Sequence, residues 1–115
     1  MQVSGINISS KQSKVLADFY ISIGIGVFVD GDLYDGWTLG EKEEENRISI
    51  WVWDENKWGP SNSGFVTIVL NTQDIEAEYI KIKKILPETQ PPVRAVWGGM
   101  ELKLEDPDGN KILIL

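Results

Sequence analysis

The chain has 115 residues, of which 18 are acidic, 11 are basic and none is histidine or cysteine, so its formal net charge is -7. This length suits one domain that buries a core without disulfides, and the acidic balance leaves no basic stripe for a nucleic acid. No apolar run approaches the ~20 residues that cross a bilayer, and no secretion signal is evident, so we expect a cytoplasmic protein that contacts no membrane.

The first half of the chain predicts one strand, one helix and three further strands. Residues 3–8 alternate as a strand, and Ser9 or Ser10 is the expected cap of a helix whose apolar side chains recur at helical spacing: Leu16, Phe19, Tyr20 and Ile23. Asp30-Gly31 favours a tight hairpin turn. Two of the three strands are predicted on either side of that turn, at 26–29 and 33–39. The third is predicted at 47–54, where apolar and other residues alternate.

The second half repeats this order of elements. Residues 57–64 are rich in Pro, Asn, Ser and Gly, a composition typical of a linker that cannot continue a sheet. A strand at 65–70 is followed by a helix with one apolar face, made by Ile75, Tyr79, Ile82 and Leu86. Strands are then predicted near 93–97, 100–105 and 111–115. The chain thus predicts the element order βαβββ twice. The two halves share this order but have little sequence identity.

The C-terminal segment carries the most informative motif. Asp106-Pro107-Asp108-Gly109-Asn110 predicts a hairpin turn, because Pro presets φ and Gly accepts the positive φ that closes the turn. With Trp97-Gly98 before it and an apolar strand after it, this segment resembles the end of the vicinal-oxygen-chelate superfamily, which contains glyoxalase I, extradiol dioxygenases and the bleomycin-resistance proteins. The first strand, Ala17-Asp18-Phe19-Tyr20 and Gly24 resemble the opening of the same family.

The resemblance implies an α+β fold with a single domain over 1–115, built of two βαβββ modules at about 1–56 and 64–115. In this family each module is a curved mixed sheet with its helix outside, and two facing sheets enclose a cavity. Side chains alternate in direction along a strand. The more aliphatic side chains of each strand should therefore pack under the helix, and the side chains between them should face the cavity. The expected helix-side set is Ile6, Ile8, Ile48, Ile50, Val52, Val66, Ile68, Leu70, Ile112 and Ile114.

Metal-dependent members of the family hold a divalent ion with four His or Glu side chains. The resemblance places those positions at Gly5, Ser49, Phe65 and Leu113. A glycine, two apolar side chains and one hydroxyl do not make a ligand set for a transition metal. We therefore expect no metal, no other cofactor, and neither glyoxalase I nor dioxygenase activity.

The expected cavity is aromatic. Trp51 and Trp53 share the predicted inner face of one strand, and indoles suit a flat or cationic organic ligand through stacking and cation–π contact. The predicted ligand-binding residues are Asn7, Ser49, Trp51, Trp53, Phe65, Thr67, Trp97 and Leu113. The alternative is that the indoles only fill the core or a subunit interface. The sequence leaves the side of Trp37 open and predicts that Trp58, in the linker, is an interface or packing residue.

These observations predict a metal-independent small-molecule-binding protein that takes an aromatic or cationic ligand in a Trp-lined cavity. Two alternatives stay open: a metal-independent enzyme such as a lyase or isomerase, with Tyr34 or Glu101 as its acid–base group, or a ligand-sensing accessory protein. The bleomycin-resistance proteins that the chain resembles are acidic dimers. A homodimer is expected here as well, because an open apolar cavity favours association.

Overall fold

The computed structural model describes residues 5–31, 36–40, 48–60, 64 and 66–115. The chain divides into two compact units, Met1–Ser63 and Gly64–Leu115. Across the described residues, none of the helices is both long and apolar enough to pass through a membrane.

Unit 1 contains a βαβββ module followed by a helical turn: β1 Gly5–Ser10, α1 Ser13–Ser22, β2 Val27–Val29, β3 Gly36–Leu39, β4 Ser49–Asp54 and α2 Glu55–Trp58. Its sheet has the order β1-β4-β3-β2, with β1 parallel to β4 and the other pairs antiparallel. The helix α1 packs against β3 and β4 on one face of this sheet. The core of the unit is buried there and consists of Ile8, Leu16, Ala17, Tyr20, Leu39, Ile50 and Val52.

Unit 2 repeats the module: β5 Thr67–Leu70, α3 Ile75–Ile85, β6 Val93–Arg94, β7 Met100–Glu105 and β8 Lys111–Ile114. Its strands lie in the order β5-β8-β7-β6, and β5 is parallel to β8. The buried apolar residues of this unit are Ile68, Ile82, Leu102, Leu104, Ile112 and Ile114. The predicted α+β fold with two βαβββ modules is therefore confirmed.

The hairpin turn at 106–110 is held by side chains as well as by its backbone. One carboxylate oxygen of Asp106 accepts the backbone N–H groups of Asp108 and Asn110, both at 2.9 Å. The carboxamide of Asn110 donates to the other Asp106 oxygen at 2.9 Å and accepts the N–H of Gly64 at 2.7 Å. The predicted turn therefore also anchors the beginning of unit 2.

Three local predictions differ from the structure. Neither Ser9 nor Ser10 caps α1, because β1 continues to Ser10 and the helix begins at Ser13 after Gln12. The helical turn α2 extends into the first two residues of the predicted linker, and Asp54 initiates it by accepting the N–H of Asn56 at 3.0 Å. Ile48 lies before β4 and is 59% exposed, so it does not pack under α1.

Candidate functional site

The sheet face opposite α1 carries the predicted site residues of unit 1. In the β1–β4 register Asn7 is the partner of Trp51, and on the other side of β4 the partner of Trp51 is Thr38. Paired residues point to the same side of a sheet, whereas Ile50 and Val52 are buried on the α1 side as predicted. We call this surface the indole face, which comprises Gly5, Asn7, Ser9, Gly36, Thr38, Ser49, Trp51 and Trp53.

The two indoles of this face are nearly parallel. Their ring centroids lie 5.9 Å apart and their planes differ by 9°. Both side chains are half-buried. Trp51 leans over β1, where a Cβ placed on Gly5 would lie 3.2 Å from its Cε2 and Nε1 atoms. In the same way, a Cβ placed on Gly36 of β3 would contact the Trp53 ring. Glycine on both neighbouring strands therefore leaves room for the indoles.

Trp58 extends this aromatic row. Its ring centroid lies 5.9 Å from that of Trp53, with the planes inclined by 47°. The Trp58 side chain is 52% exposed, and the ammonium group of Lys57 lies 5.4 Å from its ring centroid. This contact was not predicted from the sequence, because residue 58 was assigned to the linker. The available signal was Asp54, a residue type that favours the N-cap of a helix.

Trp37 lies on the opposite side of the sheet. Its β4 partner is Val52, which is buried under α1, and the ammonium group of Lys14 on α1 lies 6.0 Å from the Trp37 ring centroid. The structure therefore resolves the side that the sequence left open. Trp37 belongs to the α1 side and takes no part in the indole face.

Two predicted site residues of unit 2, Thr67 and Leu113, lie on the sheet face opposite α3. The β5–β8 register pairs Thr67 with Lys111, and the β7–β8 register pairs Lys103 with Leu113. We call this surface the charged face, which comprises Thr67, Val69, Glu101, Lys103, Glu105, Lys111 and Leu113. Phe65 and Tyr34 lie outside the described residues.

Trp97 reaches the charged face from the β6–β7 turn. Its indole N–H donates to Glu101 Oε1 at 2.8 Å, although the residue remains 62% exposed. The other oxygen of Glu101 lies 3.9 Å from the Lys103 ammonium group. The carboxylate that the sequence offered as an acid–base group is thus engaged by an indole and a lysine.

A cavity of about 600 Å³ opens on the charged face. Among its lining residues are the acidic Glu88, Glu101 and Glu105 and the basic Lys103 and Lys111. The loop after α3 forms one wall, and Thr89 holds that loop in place by donating its hydroxyl to the Leu86 carbonyl at 2.7 Å. Because acids outnumber bases around it, this cavity favours a cation over an anion.

The residues present do not fit the divalent metal that the family resemblance implies. Gly5 and Ser49 are register partners in β1 and β4, so two of the inherited positions do lie side by side. Gly5 has no donor atom, however, and the Trp51 indole covers it. Leu113 supplies no donor either. Within the described ranges, no three His, Cys, Asp or Glu side chains are grouped closely enough to hold a metal ion.

Comparison with protein families gives one match. The family model described as the Glyoxalase/Bleomycin resistance protein/Dioxygenase superfamily matches residues 8–114. A search of curated proteins finds no significant match.

Solved structures share the fold at low sequence identity. An antibiotic binding protein, TnmS3 from Streptomyces sp. CB03234, is 20% identical with a TM-score of 0.74, and the alignment covers 99% of this chain and 93% of that one. A bleomycin-binding protein complexed with bleomycin is 19% identical with a TM-score of 0.66, over 99% and 96% of the two chains. A lactoylglutathione lyase from Agrobacterium tumefaciens is 11% identical with a TM-score of 0.74, over 97% and 90%.

Proposed function

The chain belongs to the Glyoxalase/Bleomycin resistance protein/Dioxygenase superfamily, and from that premise we propose that it is a metal-independent binding protein for a planar aromatic or cationic small molecule. The observation that carries this proposal is the near-parallel pair of Trp51 and Trp53 on the indole face. Indole rings offer both stacking surface and a negative π face, so they suit a flat ring and a positive charge alike.

The electrostatics favour a cation over an anion. The chain carries a net charge of -7, and carboxylates outnumber lysines around the cavity of unit 2. An acidic surface raises the local concentration of cations and speeds their association. A positively charged ligand would thus be attracted by the negative net charge of the protein and by the π faces of Trp51 and Trp53.

We propose ligand contacts in each unit separately. In unit 1 they are Asn7, Ser49, Trp51 and Trp53, and in unit 2 they are Thr67, Trp97 and Leu113, with Phe65 as a further contact outside the described residues. Trp58, which packs on Trp53, is added to this set. The proposal also includes a homodimer and binding without metal.

Two structural neighbours give this proposal a fold-level analogy. One is a bleomycin-binding protein in complex with bleomycin and the other is an antibiotic binding protein. A shared fold does not carry a shared ligand, since unrelated functions occur on one fold. The analogy supports small-molecule binding as the class of function. In this chain the proposal itself is argued from the indoles of Trp51 and Trp53.

Dye titration tests the proposal. Proflavine is a planar cation, and anilinonaphthalene sulfonate is an aromatic anion that serves as the matched probe. We expect proflavine to quench tryptophan fluorescence saturably and to bind more tightly than the anion, with the difference shrinking as salt is added. Absence of saturable quenching by proflavine, or tighter binding of the anion, would contradict the proposal.

A further inference from the structure

The carboxamide of Asn7 has an unpaired end. Its Oδ1 atom is buried, and it has no hydrogen-bond partner among the described residues. Its Nδ2 atom donates to the hydroxyl of Ser9 at 3.4 Å, near the upper limit for such a bond. Rotating the amide by 180° would exchange the two ends and leave a buried nitrogen in place of the oxygen. Either orientation therefore leaves one polar atom without a partner.

Such an atom costs stability in the free protein. Buried polar groups in folded proteins are nearly always hydrogen-bonded, and a hydrocarbon side chain of the same shape would avoid the loss of hydration. Sites that bind ligands are the places where such a cost persists, because the ligand supplies the missing partner.

The position of Asn7 connects this atom to the aromatic pair. Asn7 is the β1 partner of Trp51, so its side chain projects from the indole face. The Trp51 indole leans over Gly5, two residues earlier on the same strand. The next residue of β1 on this face is Ser9, which is 2% exposed and receives the Asn7 amide. The unpaired oxygen therefore belongs to a residue that shares a sheet face with the Trp51 indole and neighbours it across the β1–β4 pairing.

We propose that Asn7 Oδ1 is the hydrogen-bond acceptor of the ligand site, and that the ligand is a planar aromatic molecule with a primary amino group at its edge. This inference rests on the proposed function and adds the class of ligand that the site selects. A site that keeps a buried acceptor for the ligand discriminates against an analogue without the donor, because the acceptor then stays unpaired. Asn7 is thus a specificity-determining residue.

Two dyes and two variants test this assignment. Proflavine carries primary amino groups, whereas acridine orange has the same planar ring system with those groups fully methylated. Both dyes are cations protonated at the ring nitrogen, so they share that N–H and differ only in the amino donors. Asn7→Leu keeps the size of the side chain and removes the acceptor, and Asn7→Asp keeps an acceptor. We expect the wild type to prefer proflavine by about threefold to tenfold, the range for one hydrogen bond. Asn7→Asp should keep this preference, and Asn7→Leu should lose it while it still binds acridine orange.

Thermal melting without dye gives a readout that does not depend on the ligand. Asn7→Leu should melt at a higher temperature than the wild type, since it removes a buried unpaired polar atom. A lower melting temperature would mean that Asn7 is a satisfied structural residue and would overturn the assignment. Equal affinities of the wild type for both dyes, or a preference that persists in Asn7→Leu, would overturn it and leave the proposed function intact. If neither dye binds the wild type, both proposals fail.

Discussion

The indole of Trp51 lies over Gly5, so that a Cβ at residue 5 would be 3.2 Å from two atoms of the ring. The same Cβ would lie 2.6 Å from the backbone carbonyl oxygen of Ser49. The first position that the family resemblance implies for a metal ligand is therefore closed on two sides in this chain. An aromatic surface occupies the place where a side chain donor would be needed.

Replacing Gly5 by Ala should destabilise the protein by about 1–3 kcal/mol, the usual cost of overpacking. The backbone oxygen of Ser49 cannot move away without disturbing the β1–β4 pairing. Gly99→Ala is the matched control, because the three nearest atoms that the new methyl group would meet all belong to the side chain of Trp97, which is 62% exposed and can move at the cost of its exposed hydrogen bond to Glu101. Urea denaturation of both variants measures the difference. Equal losses at the two positions would contradict the close packing at Gly5.

Replacing Asn110 by Asp should cost about 2–4 kcal/mol of the free energy of unfolding, because a second carboxylate would face Asp106 in a buried turn. Asn110 is fully buried, and its amide N–H group is the donor that Asp106 accepts at 2.9 Å. Asn56→Asp makes the same change at an exposed position in α2 and should alter stability by less than about 0.5 kcal/mol. Chemical denaturation provides both values, and a small effect at position 110 would refute the role of this pair.

The fold could be predicted from the sequence because its signals are local. Alternating residues in 47–54, the helical spacing in α3 and the Asp-Pro-Asp-Gly-Asn turn each depend on neighbours in the chain. The hydrogen bond from Gly64 to Asn110 joins residues 46 apart in sequence, and no local pattern indicates it. The short helix α2 was missed because Asn and Gly in the same stretch favoured a linker.

The candidate site was less predictable, because its geometry depends on tertiary contacts that no local sequence pattern indicates. Strand periodicity put Trp51 and Trp53 on one face, but it could not give the 9° between their planes or the contact of Trp53 with Trp58. The unpaired oxygen of Asn7 is also a tertiary property, since it depends on what lies around the side chain. Residue type alone identified Asn7 as a polar position within an apolar strand.

Purified protein should carry no stoichiometric zinc, nickel, manganese or iron. Gly5 and Leu113 supply no donor atom, and a single serine hydroxyl is too weak a ligand to hold such an ion. Elemental analysis checks this, and an assay for glyoxalase activity after addition of each metal should show none. A metal-dependent glyoxalase assayed in parallel is the positive control. One transition metal bound per chain would contradict the donor argument.

The protein should form a homodimer at micromolar concentration. Apolar side chains remain exposed on unit 2, where Val69 is 53% and Trp97 is 62% accessible. Association would remove such surface from water, and symmetric pairing is the commonest way for a soluble chain to do so. Sedimentation velocity over a range of concentrations measures the state. A monomer throughout that range would refute the expected dimer.

Replacing Trp51 by Ala should weaken proflavine binding by about 1–3 kcal/mol, the range for a good aromatic contact. Trp37→Ala removes an indole from the α1 side of the same sheet, so it should leave dye affinity unchanged below its melting transition. Dye titration and thermal melting of both variants separate a binding residue from a packing residue. If Trp51 were only core, its replacement would cost several kcal/mol of stability, about 3–5 for a buried tryptophan, and the wild type would show no saturable quenching. That combination would remove Trp51 from the site and leave the fold as the only conclusion.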